Sequence, residues 1–239
     1  MKGVVLAGGS GTRLRPTTRV VNKHVLPIYD EPMIYYPVRT LLDAGIDEIL
    51  VISNADHLGK YIQLLENEKD LDAEFSYKVQ SEPKGIAHAV SLAENFVDDE
   101  FVVILGDNII FGDLSTEISP LTEDEDARIF LKKVDEPAAY GVASVENGKV
   151  TKLEEKPENP DSDYAVIGLY LYNSGVFDVI ENQEPSDRGE YEITDVNQHY
   201  VDQSTLTYRS VNKEWFDAGT PEGVFRAAQL VRNTKQKSE

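Results

Sequence analysis

Leu6-Ala7-Gly8-Gly9-Ser10-Gly11-Thr12-Arg13-Leu14-Arg15 follows the apolar run Gly3-Val4-Val5 and precedes Pro16. A β-branched run that stops at two glycines reads as a buried strand feeding a loop whose backbone can approach a ligand closely. Without Cβ atoms at Gly8, Gly9 and Gly11, successive N–H groups can point into one concavity, and Arg13 and Arg15 add charge suited to phosphoryl oxygens. The spacing is neither G-x-x-x-x-G-K-[ST] nor G-x-G-x-x-G, which argues against a P-loop kinase and against a dinucleotide-dependent oxidoreductase. Taken alone, the stretch also reads as a tight strand-to-helix turn with surface arginines.

The rest of the composition sharpens that choice. Lys and Arg number 23 against 43 Asp and Glu, a formal net charge of −20. Such a field repels nucleic acid and anionic membranes. Arg13, Arg15, Arg19 and Lys23 therefore form a local inversion of sign, for which an anionic ligand is the economical reason. The excess acid sits in runs such as Asp98-Asp99-Glu100 and Glu123-Asp124-Glu125-Asp126, read as solvated and suited to a salt-rich cytoplasm. The chain has no cysteine, which excludes disulfides, thiolate metal sites and thiol nucleophiles. It opens straight into a strand-like run and holds no apolar stretch of membrane-spanning length, so a cytoplasmic location is expected. At 239 residues it is read as a single domain, 1–239.

Further along, helix and strand patterns alternate. Tyr35 to Ala44 reads as a helix stopped by Gly45, Glu48 to Ser53 as a buried strand, and Leu58 to Glu66 as helix. Glu74 to Val79 reads as strand, Ile86 to Phe96 as helix and Phe101 to Leu105 as another buried strand. Continuous apolar strands separated by helices imply an open α/β sheet with parallel strands covered on both faces, whose ligands bind beyond the carboxyl ends. The glycine loop and Asp107 both lie at such ends. Tyr140 to Val145 and Lys149 to Glu155 flank Asn147-Gly148 as a hairpin. Tyr164 to Tyr172 is a further strand, a helix follows Arg188-Gly189-Glu190, Leu206 to Val211 is an edge strand, and Phe225 to Arg232 closes the chain as helix.

Several side chains are placed to do chemistry. Asp107, in Leu105-Gly106-Asp107-Asn108, and Asp217, in Trp215-Phe216-Asp217-Ala218-Gly219, each stand beside a glycine. Mg²⁺ favours one or two carboxylates with waters and phosphate oxygens; each aspartate alone also reads as a turn or capping residue. Gln80, near Pro83 and Gly85, has an amide able to pair with both a donor and an acceptor on a base edge. Glu155-Lys156 offers a carboxylate for sugar hydroxyls and an ammonium for phosphate, or an ordinary exposed pair. Arg188-Gly189-Glu190 carries the same ambiguity. His24, His57, His88 and His199 show no triad or zinc spacing, so a protein nucleophile is not expected.

In order, the glycine loop, Lys23 to Tyr29, Pro32 to Pro37, Gln80 to Ala89, Leu105 to Asn108, Glu154 to Pro157, Gly168 to Tyr170, Arg188 to Glu190 and Asp217 to Thr220 resemble the sugar nucleotidyltransferases, and among them the glucose-1-phosphate thymidylyltransferases. The resemblance implies a mononucleotide-binding, Rossmann-like α/β/α fold with a mostly parallel mixed sheet, residues 1–110 serving mainly the nucleotide and 111–239 mainly the sugar phosphate. It implies joining of dTTP to glucose 1-phosphate with Mg²⁺, by direct in-line attack on the α-phosphorus, in a homo-oligomer. Arg13 and Lys23 would then hold the triphosphate, and Asp107 and Asp217 the metal. Leu6, Gly8, Gly9, Gly11, Gln80, Pro83 and Gly85 would line the nucleotide site. Asn108, Tyr140, Gly141, Glu155, Lys156, Val166 and Arg188 would line the sugar-phosphate site. Many thymidylyltransferases carry aspartate at the position of Lys84 and glutamine at that of His88, so the base environment differs here and UTP stands beside dTTP. A non-catalytic nucleotide-sugar sensor is the reading from another class. Longer family members continue past the last helix with an effector-site segment, which leaves end-product feedback an open question here.

Overall fold

Strand β1 (Lys2–Leu6) sets the layers by its alternation, with Val4 and Leu6 in one apolar cluster and Val5, with Ala7 beyond it, in another. The structure, a computed structural model, describes residues 1–9 and 11–238. Ser10, in the glycine loop, and Glu239 lie outside the described residues. The short strands β2 (Pro27–Ile28) and β3 (Glu31–Pro32) pair antiparallel ahead of helix α1 (Tyr35–Asp43). Then come β4 (Glu48–Ser53), α2 (Ala55–Leu65), β5 (Glu74–Val79), α3 (Ile86–Ser91) and β6 (Phe101–Leu105). β4 and β6 flank β1 in parallel and β5 adds to β4, the arrangement expected of buried apolar runs joined by helices.

The second half comprises β7 (Asn108–Phe111), β8 (Ala127–Lys133), β9 (Gly141–Glu146), β10 (Lys149–Glu155), β11 (Tyr164–Tyr172), α4 (Val176–Glu181), α5 (Ile193–Asp202), β12 (Leu206–Ser210), β13 (Glu214–Asp217) and α6 (Pro221–Ser238). The sheet runs β10-β9-β11-β6-β1-β4-β5, with β8 also paired to β11 and β12 to β8. Seven of its nine strands point one way; only β10 and β11 oppose them. Helices α3, α4 and α5 cover one face through Ala87, Val176 and Val196, and α1 and α2 cover the other through Val38, Leu41 and Tyr61. This is a three-layer α/β/α arrangement. A separate antiparallel ribbon, β7 with β13, carries α6 over a third cluster that includes Ile109, Ala227 and Val231.

One edge of β11 is forked. Ala165 and Val166 pair with β9, whereas Leu169 to Tyr172 pair with β6 on that same edge. In the gap, Gly168 N–H donates to Asn108 Oδ1 at 2.9 Å. A Cβ on Gly168 would meet Asn108 Nδ2 at 2.5 Å and Leu105 at 2.6 Å, so only glycine fits the fork.

Several sequence boundaries move. The helix expected from Ile86 to Phe96 ends at Ser91, because Leu92, Ala93 and Glu94 donate three residues back, to Ala89, Val90 and Ser91, and tighten the chain into turns. α2 starts at Ala55 and α6 at Pro221, whose fixed φ suits a first helical turn. Tyr140 closes a short 3₁₀ turn and the hairpin strand begins at Gly141. The acidic run from Glu123 to Asp126 is only half solvated: Glu125 pairs with the fully buried Arg128 of β8, since a buried guanidinium requires an anion beside it. No described helix is long and apolar enough to cross a membrane.

Candidate active site

The glycine loop leaves β1 beside the end of β6, where Leu6 registers with Leu105 and Gly106 N–H donates to Leu6 carbonyl oxygen at 2.9 Å. Gly9 and Gly11 take φ of 92° and 57°, the left-handed values that glycine allows without strain. A 3₁₀ turn from Thr12 to Leu14 follows and projects Arg13.

A second 3₁₀ turn, Lys23 to Val25, is fixed from beneath. Asn22 Oδ1 accepts from His24 N–H at 2.8 Å and from Tyr61 hydroxyl at 2.7 Å, and lies 2.9 Å from His24 Nδ1. Burial, reinforced by the Lys23 charge, holds the His24 imidazole down at about 3, so it is neutral at physiological pH. The network orients Lys23, whose ammonium is ion-paired to Asp107.

The two aspartates reach the same place by different routes. Asp107 lies just past β6, and register on the ribbon sets Asp217 opposite Asn108. Ala218 N–H donates to Asp107 carbonyl oxygen at 2.8 Å, and Gly219 N–H to Asp217 Oδ1 at 2.9 Å. A Cβ on Gly219 would come within 2.8 Å of both Asp107 Oδ2 and Asp217 Oδ1 and 2.6 Å of Arg13 Nη2, so the carboxylates and the guanidinium converge on one point. Arg13 Nη1 lies 3.3 Å from Asp217 Oδ2. Burial pushes the Asp107 carboxyl up, but the adjacent Lys23 ammonium, together with His24 and a backbone N–H, more than reverses this and brings the group down to about 2. Asp217 moves the other way, raised by burial and then by the charge of Asp107. Two carboxylates that repel across a short gap form a donor set suited to a hard dication that keeps water and takes phosphate oxygens. Among the described residues no cluster of three or more acidic or histidine ligands occurs.

Two adjoining cavities open from this point. The larger, about 560 Å³, is bordered by Arg13, Lys23, Asp107, Asn108 and Asp217 at one end and by Tyr140, Gly141, Glu155, Lys156, Val166 and Arg188 at the other. The smaller, about 310 Å³, holds Leu6, Gly8, Gly9, Gln80, Pro83 and Gly85, and shares Arg13, Lys23 and Asp107 with the first. Gly11 borders neither; a Cβ there would meet Thr18 and Lys23, so its place is behind the loop, and Arg15 and Arg19 of the basic cluster also border neither cavity. Glu155 Oε1 accepts from Lys156 at 2.6 Å and Arg188 at 3.4 Å, and its Oε2 from Thr194 hydroxyl at 2.7 Å. Burial raises the Glu155 carboxyl, and these donors more than reverse the shift.

Sequence reasoning did not single out Thr194, Trp215 or Ile86, all of which border the larger cavity, as does Glu190 of the Arg188-Gly189-Glu190 motif. Trp215 Nε1 donates to Asn108 Oδ1 at 2.7 Å and its ring meets Tyr140 edge-on at 5.3 Å. The lone tryptophan beside Asp217 was the available signal. Thr194 gave none, because a threonine in the first turn of a helix is ordinary.

The nucleotidyl transferase family model matches residues 2–234. A Neisseria meningitidis protein named glucose-1-phosphate thymidylyltransferase is 40% identical over 241 residues, 98% of this chain and 84% of the relative. A solved Bacillus anthracis structure, assigned as a glucose-1-phosphate thymidylyltransferase and complexed with sucrose, superposes with TM-score 0.91 at 44% identity over 97% of this chain and 95% of that one. A UDP-glucose pyrophosphorylase holding UDP-glucose superposes with TM-score 0.86 at 26% identity, covering 98% of each chain.

Proposed function

This chain belongs to the nucleotidyl transferase family, and from that premise we propose that it joins dTTP to glucose 1-phosphate, releasing pyrophosphate and forming dTDP-glucose. The observation that carries the reading is the convergence of Arg13, Asp107 and Asp217 on one point between the two cavities. The smaller cavity takes the nucleotide, with Gln80 and Gly85 at the base. The larger takes the sugar phosphate, with Glu155 accepting from hexose hydroxyls and Lys156 and Arg188 meeting its phosphate. Residues 1–110 thus serve mainly the nucleotide and 111–239 mainly the sugar phosphate.

In the reaction a phosphate oxygen of the sugar phosphate forms a bond to the α-phosphorus as the bond to pyrophosphate breaks in line. Arg13 and Lys23 hold the triphosphate and meet the charge that gathers on the leaving pyrophosphate, while the fixed far wall orients the attacking group. Asp107 and Asp217 would hold Mg²⁺, which supplies positive charge to the phosphate oxygens when bound. No protein nucleophile is required. The same reading places the enzyme in the cytoplasm as a homo-oligomer, without nucleic acid or membrane partners.

Transfer from UTP is the second reading, favoured by the likeness to a UDP-glucose pyrophosphorylase. The test is pyrophosphate release in high-salt buffer with Mg²⁺, offering dTTP, UTP, CTP, ATP and GTP against glucose 1-phosphate and galactose 1-phosphate. Fastest release with dTTP and glucose 1-phosphate is expected. A larger kcat/KM with UTP would select the second reading, and nucleotide binding without release from any pair would leave a sensor.

A further inference from the structure

The wall of the smaller cavity contains a contact that the reaction itself does not use. Gln80 follows β5, is 9% exposed, and is tied down by its N–H, which donates to Ser53 carbonyl oxygen at 2.8 Å. Its side-chain amide is held at the nitrogen end: Nε2 lies 3.0 Å from His88 Nδ1 on α3 and 3.4 Å from Gly85 carbonyl oxygen. The other end, Oε1, lies over the glycine loop, where a Cβ on Gly8 would come within 3.1 Å of it. A carboxamide presents a donor on one side and an acceptor on the other, so which partner holds the nitrogen decides what the oxygen offers to the cavity.

We propose that His88 is the positioning residue that sets base selection: by accepting from Gln80 Nε2 at Nδ1 it turns Oε1 toward the base and selects pyrimidines that carry a ring N–H over those that present a bare ring nitrogen. The inference rests on the nucleotide-site reading above. Thymine and uracil offer an N3–H donor, which Oε1 accepts. Cytosine offers an N3 acceptor, which would face Oε1 lone pair to lone pair and leave two polar groups unmatched. If the imidazole becomes a donor at Nδ1, it opposes Nε2–H. Rotating the amide by half a turn removes that conflict, gives up the longer 3.4 Å contact to Gly85 carbonyl oxygen, and presents Nε2–H to the base, a pattern complementary to cytosine. His88 is thus an acceptor whose conversion to a donor inverts the preference.

The imidazole environment keeps the ring neutral at neutral pH, the state in which Nδ1 can accept. Burial, and then the Lys84 ammonium, hold His88 below its usual value, while Glu82 opposes them. Lys84 and Glu82 are paired with each other at 2.6 Å on the loop before α3. The Tyr191 ring faces His88 at 6.5 Å from the segment leading into α5, and Glu190 and Glu192 border the same cavity.

The experiment is calorimetric binding of dTTP and dCTP, which share sugar and phosphates, to the wild type, His88→Glu and His88→Lys. At pH 7.5 glutamate is an acceptor and lysine a donor. Their charges act on both nucleotides alike through the triphosphate and cancel in the affinity ratio. His88→Glu is expected to keep the wild-type preference for dTTP, and His88→Lys to lose about tenfold of it or more. Ratios equal in the two variants would overturn the proposal; where only one variant folds, its comparison with the wild type decides, since a lost preference in His88→Glu or a kept one in His88→Lys would each overturn it. Pyrophosphate release by the wild type judges the transferase reading separately, since binding ratios need no turnover.

Discussion

Asp107 stands between stability and chemistry. Its charge is matched by Lys23, so the carboxylate form stabilises the folded state, while its edge faces the point shared with Asp217 and Arg13. Asp107→Asn should keep the far-ultraviolet circular dichroism spectrum and lower kcat for pyrophosphate release by about 10²-fold or more; near-normal turnover would remove it from the metal site. Thr194 acts through Glu155, fixing the carboxylate whose other oxygen meets Lys156 and Arg188. Thr194→Val should raise KM for glucose 1-phosphate by roughly fivefold and leave KM for dTTP within about twofold, as steady-state kinetics with each substrate varied will show. His24 carries a pH signature. Unfolded, an imidazole titrates near 6.5, whereas folded it sits near 3. Below pH 6.5 the unfolded chain therefore binds a proton that the folded one refuses, and stability falls with falling pH, approaching about 1.4 kcal/mol per pH unit. Urea midpoints between pH 6.5 and 5 should decline more steeply for the wild type than for His24→Gln.

At the scale of elements, the forked strand β11 is the point of least tolerance. Gly168→Ala would drive a methyl group into Asn108 and Leu105, an overpacking worth about 1–3 kcal/mol, and should lower Tm by roughly 2–12 °C in a scanning calorimeter. The fork was not legible in the sequence, because a split pairing depends on which strands arrive beside β11 and not on the apolar pattern of Tyr164 to Tyr172. What was legible was local. Apolar runs such as Val4-Val5 and Ile49 to Ile52 declare buried strands, and Asn147-Gly148 declares a hairpin. β8 escaped notice because Arg128, Lys132 and Lys133 break its apolar run, yet Arg128 is buried against Glu125. β7 and β13 were missed as strands although Asp107, Asn108 and Asp217 were singled out; short ribbons draw their order from each other and from α6, which no local pattern records. The candidate site was largely readable through the glycines and charges beside it. Thr194 and Trp215 were not, because their work is to hold other side chains.

For the whole molecule, a net charge of −20 opposes compactness by self-repulsion that salt screens. Raising KCl from about 0.05 to 1 M should add about 1 kcal/mol and raise Tm by a few degrees. A Tm that stays flat or falls would mean that ion pairs such as Arg39 with Glu31, also weakened by salt, balance the repulsion. The forked β11 has one further consequence. The strand is laced by backbone hydrogen bonds to β6, whose Leu105 borders both cavities, and to β9, whose Gly141 borders the larger one. On the reading proposed above, the two substrates would be seated on one girder, not in opposing jaws. Bringing the attacking oxygen up to the α-phosphorus would then fall to side chains and loops such as Thr12 to Leu14, with the distance between the two seats built in when the chain folds.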